Sequence, residues 1–326
     1  MVQSNMELIV KKTHELTDSE ISRYCEAYTS IFQHKKTPDL FKSEFMNTCL
    51  GYSFHSILIE DNGHVIGGYT AIPMPFIVKG TEMLFAFGVD LMIADGYRDD
   101  VNNLLTVIKA NDKVLKEEGI TCFYGFPNDN SYKVNLAFIR MRDICSLSTY
   151  ILPYHVGDAK PIISILNPLS ALFSKCMLGL SKLFAEKKVI SYSVSKNHNQ
   201  LVKTRYKWFN GEGYENYNDG DVECYWKITD FEGIKAAFLM DVHPMSKYSF
   251  DKAVREMVKA CKDRTGLFIY VGMLPFTSMS MIKVPQRFAP KNFHFVAKII
   301  DKKALDKEII YTPNNWDVNL ASYDLL

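Results

Sequence analysis

The chain has 326 residues, of which 47% are hydrophobic and 23% charged, with a formal net charge of +1. That length accommodates two compact domains with full cores, and the composition is that of a globular protein. A near-neutral chain argues against a strongly basic nucleic-acid face. Seven cysteines, an odd number with no CxxC pair, argue against a disulfide framework or zinc site and fit the reduced thiols of a cytoplasmic protein. The first residues lack the apolar run of a secretory signal, and no stretch reads as a clean membrane span.

In chain order, residues 6–11 read as a strand. Thr17, with Glu20 three residues on, forms a capping box that opens a helix to Phe32, its apolar face carrying Ile21, Tyr24, Tyr28 and Phe32. A second helix begins at Pro38 and runs to about Cys49. Strands 56–60 and 64–73 flank the hairpin turn Asp61-Asn62-Gly63, and a third covers about 83–94. A helix over 101–118 has Leu104, Val107, Ile108 and Leu115 on its apolar side and stops at Gly119. Thr121–Phe126 is a strand, Asn128–Asn130 caps a helix to about Met141, and Cys145–Pro153 is the strand expected to close the unit.

Residues 156–188 read as a helical connector in which Asn167 caps a helix beginning at Pro168. Leu169, Leu172, Phe173, Cys176, Leu180, Leu183 and Phe184 follow helical spacing, with lysines off the stripe. Such a stripe over 168–185 suits either a membrane surface or a neighbouring domain or subunit, and the commoner packed arrangement is the expectation. Beyond it come a strand at Ile234–Val242, a helix at Tyr248–Cys261 with Ser249 as N-cap, and strands at Leu267–Val271 and Lys291–Ile300. This series echoes residues 83–153 in pattern rather than in sequence. The fold class is mixed α/β, with antiparallel hairpins running into strand–helix–strand units.

The stretch Gly88-Val89-Asp90-Leu91-Met92-Ile93-Ala94-Asp95-Gly96-Tyr97-Arg98-Asp99-Asp100-Val101-Asn102-Asn103-Leu104 takes a strand through a polar loop into a helix. The first N–H groups of a helix lack internal partners and, with the dipole, favour a phosphate. A second stretch, Phe123-Tyr124-Gly125-Phe126-Pro127-Asn128-Asp129-Asn130-Ser131-Tyr132, ends a strand in Pro-Asn-x-Asn before a helix.

These two stretches resemble the GNAT acyltransferases. Tyr97–Arg98 stands where that family has an aromatic–Arg pair, and the second string resembles the G-F-P-N-x-N-S-Y run of one GNAT branch. The resemblance implies two GNAT-like domains, 1–155 and 189–326, each a mixed, mostly antiparallel sheet flanked by helices, the second copy divergent and forming part of the acceptor pocket. Arg205–Tyr206, Met281–Pro285 and Ala289–Phe295 extend it into that second copy. It implies acetyl-CoA or another acyl-CoA as cosubstrate without a metal, held by Leu91, Met92, Ile93, Arg98, Asp99, Asp100, Val101, Asn102, Asn103, Asn128 and Asn130. The acceptor it implies is a primary amine of a small molecule or sugar.

The chain departs from the family where loop glycines are expected, having Asp99, Val101 and Asn103, and where a tyrosine acid is expected, having Ala137. A site so altered is either working or degenerate. Tyr132 and Tyr150 are the substitute candidates for general acid. Asp90 is the first candidate for base, and the Leu326 carboxylate a second, since in some tandem members the C-terminus enters the first domain's site. His243 and His294, lacking nearby partners in sequence, read as structural. Two rivals stand beside this reading: a tRNA-dependent aminoacyl transferase, and a non-catalytic binding protein that keeps the fold.

Overall fold

The computed structural model describes residues 6–158, 160–206, 213–231, 233–289 and 291–323. The chain forms two compact units, neither contiguous in sequence: Met1–Cys145, Lys196–Trp208 and His294–Pro313 make the first, and Ser146–Ser195, Phe209–Phe293 and Asn314–Leu326 the second.

The first unit opens with β1 (Met6–Lys12), α1 (Asp18–Phe32) and α2 (Pro38–Met46). The Thr17–Glu20 capping box forms in full, Thr17 Oγ1 accepting from the Glu20 amide and the Glu20 carboxylate from the Thr17 amide. The strands β2 (Phe54–Glu60), β3 (Val65–Val78) and β4 (Thr81–Ile93) follow as a meander. Its second turn, Lys79–Gly80, has positive φ at both residues (48° and 83°), the backbone that suits the twist of a two-residue hairpin. Then come α3 (Val101–Glu117), β5 (Cys122–Gly125), α4 (Asp129–Ala137) and β6 (Arg142–Ser146). Gly119, at φ 74°, ends α3 as expected. Helix α4 is shorter than its pattern suggests, stopping four residues before Met141, and Arg140 takes a left-handed φ of 62° in the turn beyond.

Period-two alternation sorts the strand residues between two helical layers. From β2, Phe54 and Leu58 join Val107, Ile108 and Leu115 of α3 in one core. The intervening His55 faces the other way, stacked on Phe41 of α2 and edge-on to Tyr24 of α1.

The strand expected to close this unit is divided. Residues 142–146 stay in the first sheet as β6, whereas β7 (Ser148–Pro153) belongs to the second. The place beside β5 is taken by β14 (His294–Ile299), antiparallel, with Val296 opposite Gly125 and Ile299 opposite Cys122. The first sheet therefore runs β1-β2-β3-β4-β5-β14-β6.

After β7, a 3₁₀ turn at Pro161–Leu166 leads into α5 (Asn167–Leu183). Together they give a 23-residue segment, Pro161–Leu183, long and apolar enough to cross a membrane; this corrects the reading that no stretch has that length. Asn167 is also not the N-cap, because its Oδ1 instead accepts from the Gly157 amide at 2.7 Å. At β8 (Val194–Lys196) the chain leaves the second unit, and it returns for β9 (Tyr214–Asn218), β10 (Glu223–Phe231) and β11 (Ile234–His243). The helix Lys247–Cys261 then carries the chain to β12 (Leu267–Gly272) and β13 (Ile282–Lys283). Ser246, not Ser249, caps that helix by accepting from the Ser249 amide.

The second sheet runs β13-β7-β12-β11-β10-β9. Phe250, Val254 and Met257 of the helix pack with Leu239, Phe268 and Trp226 in its core. Both units thus contain a parallel strand–helix–strand pair, β4–β5 and β11–β12, with an antiparallel neighbour from the other half of the sequence.

Candidate functional site

The parallel pairing of β4 with β5 is short, covering Phe85–Phe87 opposite Cys122–Tyr124. Past that point the strands part. β5 ends at Gly125 and turns through Phe126-Pro127 into α4, capped by Asn128, whose Oδ1 accepts from the Ser131 amide at 2.9 Å. Proline offers no N–H to a neighbouring strand. β4 continues to Ile93 with one edge unpaired by β5.

Along this free segment β4 bulges. Thr70 pairs with Val89 and Gly68 with Met92, so Tyr69 of β3 lies opposite both Asp90 and Leu91. Asp90 has φ 52°, a left-handed conformation that costs a non-glycine residue about 1 kcal/mol. Buried contacts hold it there. Its Oδ2 accepts from Tyr24 at 3.0 Å and from the Lys36 ammonium at 2.7 Å.

Lys36 also pairs with Glu44 at 2.9 Å and stands between the rings of Tyr28 and Phe45. Tyr24 continues to Thr70 (3.1 Å), Thr70 to His55 Nδ1 (3.0 Å), and His55 Nε2 to Thr13 (2.9 Å). Burial works against the charge on Lys36, but Asp90 and Glu44 outweigh it and raise its pKa. Burial likewise raises the pKa of Glu44 against the opposing pull of Lys36. His55 is driven down to about 3 by burial, with the Lys36 charge adding to it, so its ring is neutral. The network fixes the bulge, and Asp90 serves in it as the ion-paired anchor; nothing in its surroundings singles it out as a base.

Beside the free β4 edge lies a cleft of about 640 Å³. Of the residues expected there, Leu91, Met92, Ile93, Arg98, Asp100, Val101, Asn128 and Asn130 line it. Asn102 and Asn103 serve the loop. The Asn102 amide and side chain both donate to Asp100 at 2.9 Å, and the buried Asn103 donates to the Tyr97 carbonyl at 3.0 Å. Asp99 is exposed and is not part of the lining. Arg98 folds back on the loop, Nε to the Ile93 carbonyl at 2.9 Å and Nη1 to Asp95 at 2.8 Å, with its side chain still half exposed at the cleft.

Asp100 is the N-cap of α3. Its carboxylate occupies one first-turn donor and sets a negative charge where the helix end would favour an anion. Positive charge at this cleft therefore comes from Arg98.

Tyr132 does not line the cleft. Its ring stacks on His294 of β14 with centroids 3.9 Å apart, and burial, with the Asp143 carboxylate adding to it, raises the pKa of its hydroxyl. His294 in turn meets Asp129 at 3.0 Å. Tyr132 thus braces α4 against β14, which removes the geometric basis for its role as acid. Leu326 lies outside the described residues. The sequence pattern does not single out Ile31, Val134 and Phe138, which make the apolar wall together with the helix-stripe residues Phe32 and Leu104. Nor does it single out the Lys36–Glu44 pair, since a lysine in His34-Lys35-Lys36 looks like solvated loop.

The matching opening in the second unit is filled from within. β11 and β12 pair only over Ala237–Leu239 and Phe268–Tyr270. Beyond, Asn319 bridges to Gly272 and donates to Asp241 at 2.7 Å, and the Met273 amide donates to the Val318 carbonyl. Trp316, Asn319 and Leu320 are fully buried there.

No protein-family model matches the sequence, and no curated protein matches it significantly. Solved structures do match. A GCN5-related N-acetyltransferase of Kribbella flavida superposes with a TM-score of 0.58 at 8% identity, over 91% of this chain and 72% of that one. One from Anabaena variabilis ATCC 29413 gives 0.54 at 12%, over 90% and 73%. Eis1 of Mycobacterium abscessus gives 0.54 at 9%, over 92% and 75%. With so few identities the likeness is one of architecture, and it includes both sheets. The chain has the fold of the GCN5-related N-acetyltransferases.

Proposed function

We propose that the protein is an acyl-CoA-dependent N-acyltransferase, with acetyl-CoA as the first donor to test and a primary amine of a small molecule or sugar as acceptor. One observation carries the reading: the cleft at the β4–β5 opening, with the free β4 edge and the Asp90 bulge along its wall. An extended pantetheine arm suits such an edge, because its amides can pair with strand backbone as an added strand would. The bulge turns backbone N–H groups near Leu91 and Met92 toward a thioester carbonyl, where they stabilise the oxyanion of attack. Arg98 meets the pyrophosphate. The amine attacks the carbonyl carbon, its nitrogen gives up a proton, the C–S bond breaks and the amide forms, that proton passing to the departing sulfur so that CoA leaves as the free thiol.

In this reading the acceptor amine arrives unprotonated and positioning supplies most of the rate. The logarithm of kcat/KM is then expected to rise with pH at unit slope until the acceptor's own pKa is reached, with no second inflection below it. Titration calorimetry with acetyl-CoA and CoA, followed by thiol release against a panel of amines, tests the proposal. Asp100 on the α3 end favours a second reading, a non-catalytic binding protein that keeps the fold. A folded protein that binds neither ligand decides for it.

A further inference from the structure

Helix α5 is mounted with its apolar side outward. Ser170 donates to the Tyr154 carbonyl and Ser174 to the Pro153 carbonyl, while Arg255 donates to Ser181. All three serines are buried, so the small polar face is the one packed against β7 and the helix Lys247–Cys261. The stripe opposite is bare: Ile162 is 82% exposed, Ile165 85%, Leu169 65% and Leu183 77%, with Leu172 and Phe173 between them. Soluble surfaces seldom carry a continuous apolar strip of this extent without a function.

The charges beside the strip indicate what covers it. From 160 to 188 the chain has Lys160, Lys175, Lys182, Lys187 and Lys188 against one acid, Glu186. At 100° per residue, Lys175 and Lys182 lie roughly 60–80° beyond Leu172, on the flank of the stripe away from the serines. We infer that α5 lies in the plane of an anionic lipid bilayer, its leucine, isoleucine and phenylalanine side chains in the acyl boundary and its lysines among the headgroups. A second copy of the chain is a poorer cover, because facing stripes bring five lysines of each copy together with Glu186 alone to answer them. A span is poorer too, since it would carry Lys175, Lys182 and the serine face into hydrocarbon and break the serine bonds.

Co-sedimentation of the full chain with vesicles tests this. The protein is expected to pellet with phosphatidylcholine containing about a third phosphatidylglycerol, and to be released by 0.5 M salt. The triple variant Ile165→Ser, Leu169→Ser, Leu172→Ser should partition at least tenfold less while melting like the parent, its changes being at exposed positions. Lys175→Gln with Lys182→Gln should weaken partitioning about 25-fold, at roughly fivefold per lysine. The inference is overturned if the parent stays in solution with anionic vesicles or binds neutral ones equally. It is also overturned if sedimentation without lipid shows a dimer that the triple variant abolishes, or if bound protein resists both salt and alkaline extraction as a spanning helix would. None of these outcomes depends on acyl-CoA binding.

Discussion

If the cleft takes acyl-CoA as proposed, Asp100 is the residue on which donor binding turns. As N-cap it satisfies the Asn102 amide, and as a carboxylate it would repel a pyrophosphate at the helix end. Glycine at an N-cap costs only about a few tenths of a kcal/mol relative to aspartate. Asp100→Gly is therefore expected to tighten CoA binding by roughly three- to tenfold, as removal of one nearby exposed charge implies, with almost no change in the urea midpoint. Calorimetry on both proteins reads this directly, and unchanged affinity would mean that the pyrophosphate lies elsewhere. None of this could be read from the string Asp99-Asp100 alone, because a helix cap and an anion-site lining look identical in sequence.

His55 makes a second prediction at the same scale. Its folded pKa of about 3 lies far below the 6.5 of an unperturbed imidazole, through burial first and the Lys36 charge second. The unfolded chain therefore binds the proton that the folded chain refuses. This contribution is fully present above pH 6.5 and is lost as pH falls toward 3, at about 1.4 kcal/mol per pH unit. Urea unfolding from pH 7 to pH 4 should show that slope in the parent and a flatter one in His55→Gln. Equal slopes would show that the ring can take up a proton in place.

At the scale of elements, the decisive feature is that β4 and β5 part company. A Cβ on Gly88, at the fork, would stand 2.5 Å from Phe123 Cζ and 2.8 Å from the Tyr69 hydroxyl. Gly88→Ala must push β4 or the Phe123 ring aside, so a loss of about 1–3 kcal/mol is expected from overpacking, with weaker CoA binding as the strand edge shifts. Chemical denaturation and calorimetry on the one variant check both. Elements themselves were largely legible: the Thr17–Glu20 capping box, the Asp61-Asn62-Gly63 turn and Gly119 are local chemistry. The orientation of α5 was not. Its stripe has the spacing of a core-facing helix, but Ser170, Ser174 and Ser181 find carbonyl or guanidinium partners on the other side, and those bonds decide which face turns inward.

For the whole molecule, the exchange of β7 and β14 was beyond sequence reading, because strand pairing is set by partners more than a hundred residues away. The pattern of residues 83–153 repeats in 234–300, and each half looks complete by itself. The sheets show otherwise: without β14, the first sheet lacks the strand between β5 and β6 and leaves the β5 edge, with the buried Phe295 and Val296 missing, open to water. Residues 1–155 alone are therefore expected to give an aggregating or molten product without a cooperative transition. Appending residues 291–301 through a flexible linker should restore cooperativity, since it returns the Val296–Gly125 to Ile299–Cys122 ladder. Circular dichroism and urea melts of the two chains distinguish the cases. If 1–155 alone unfolds cooperatively with native-like near-UV signal, β14 is a passenger on a finished sheet. If only the linked chain does so, the first unit depends for its folding on a strand that lies more than a hundred residues further along the chain.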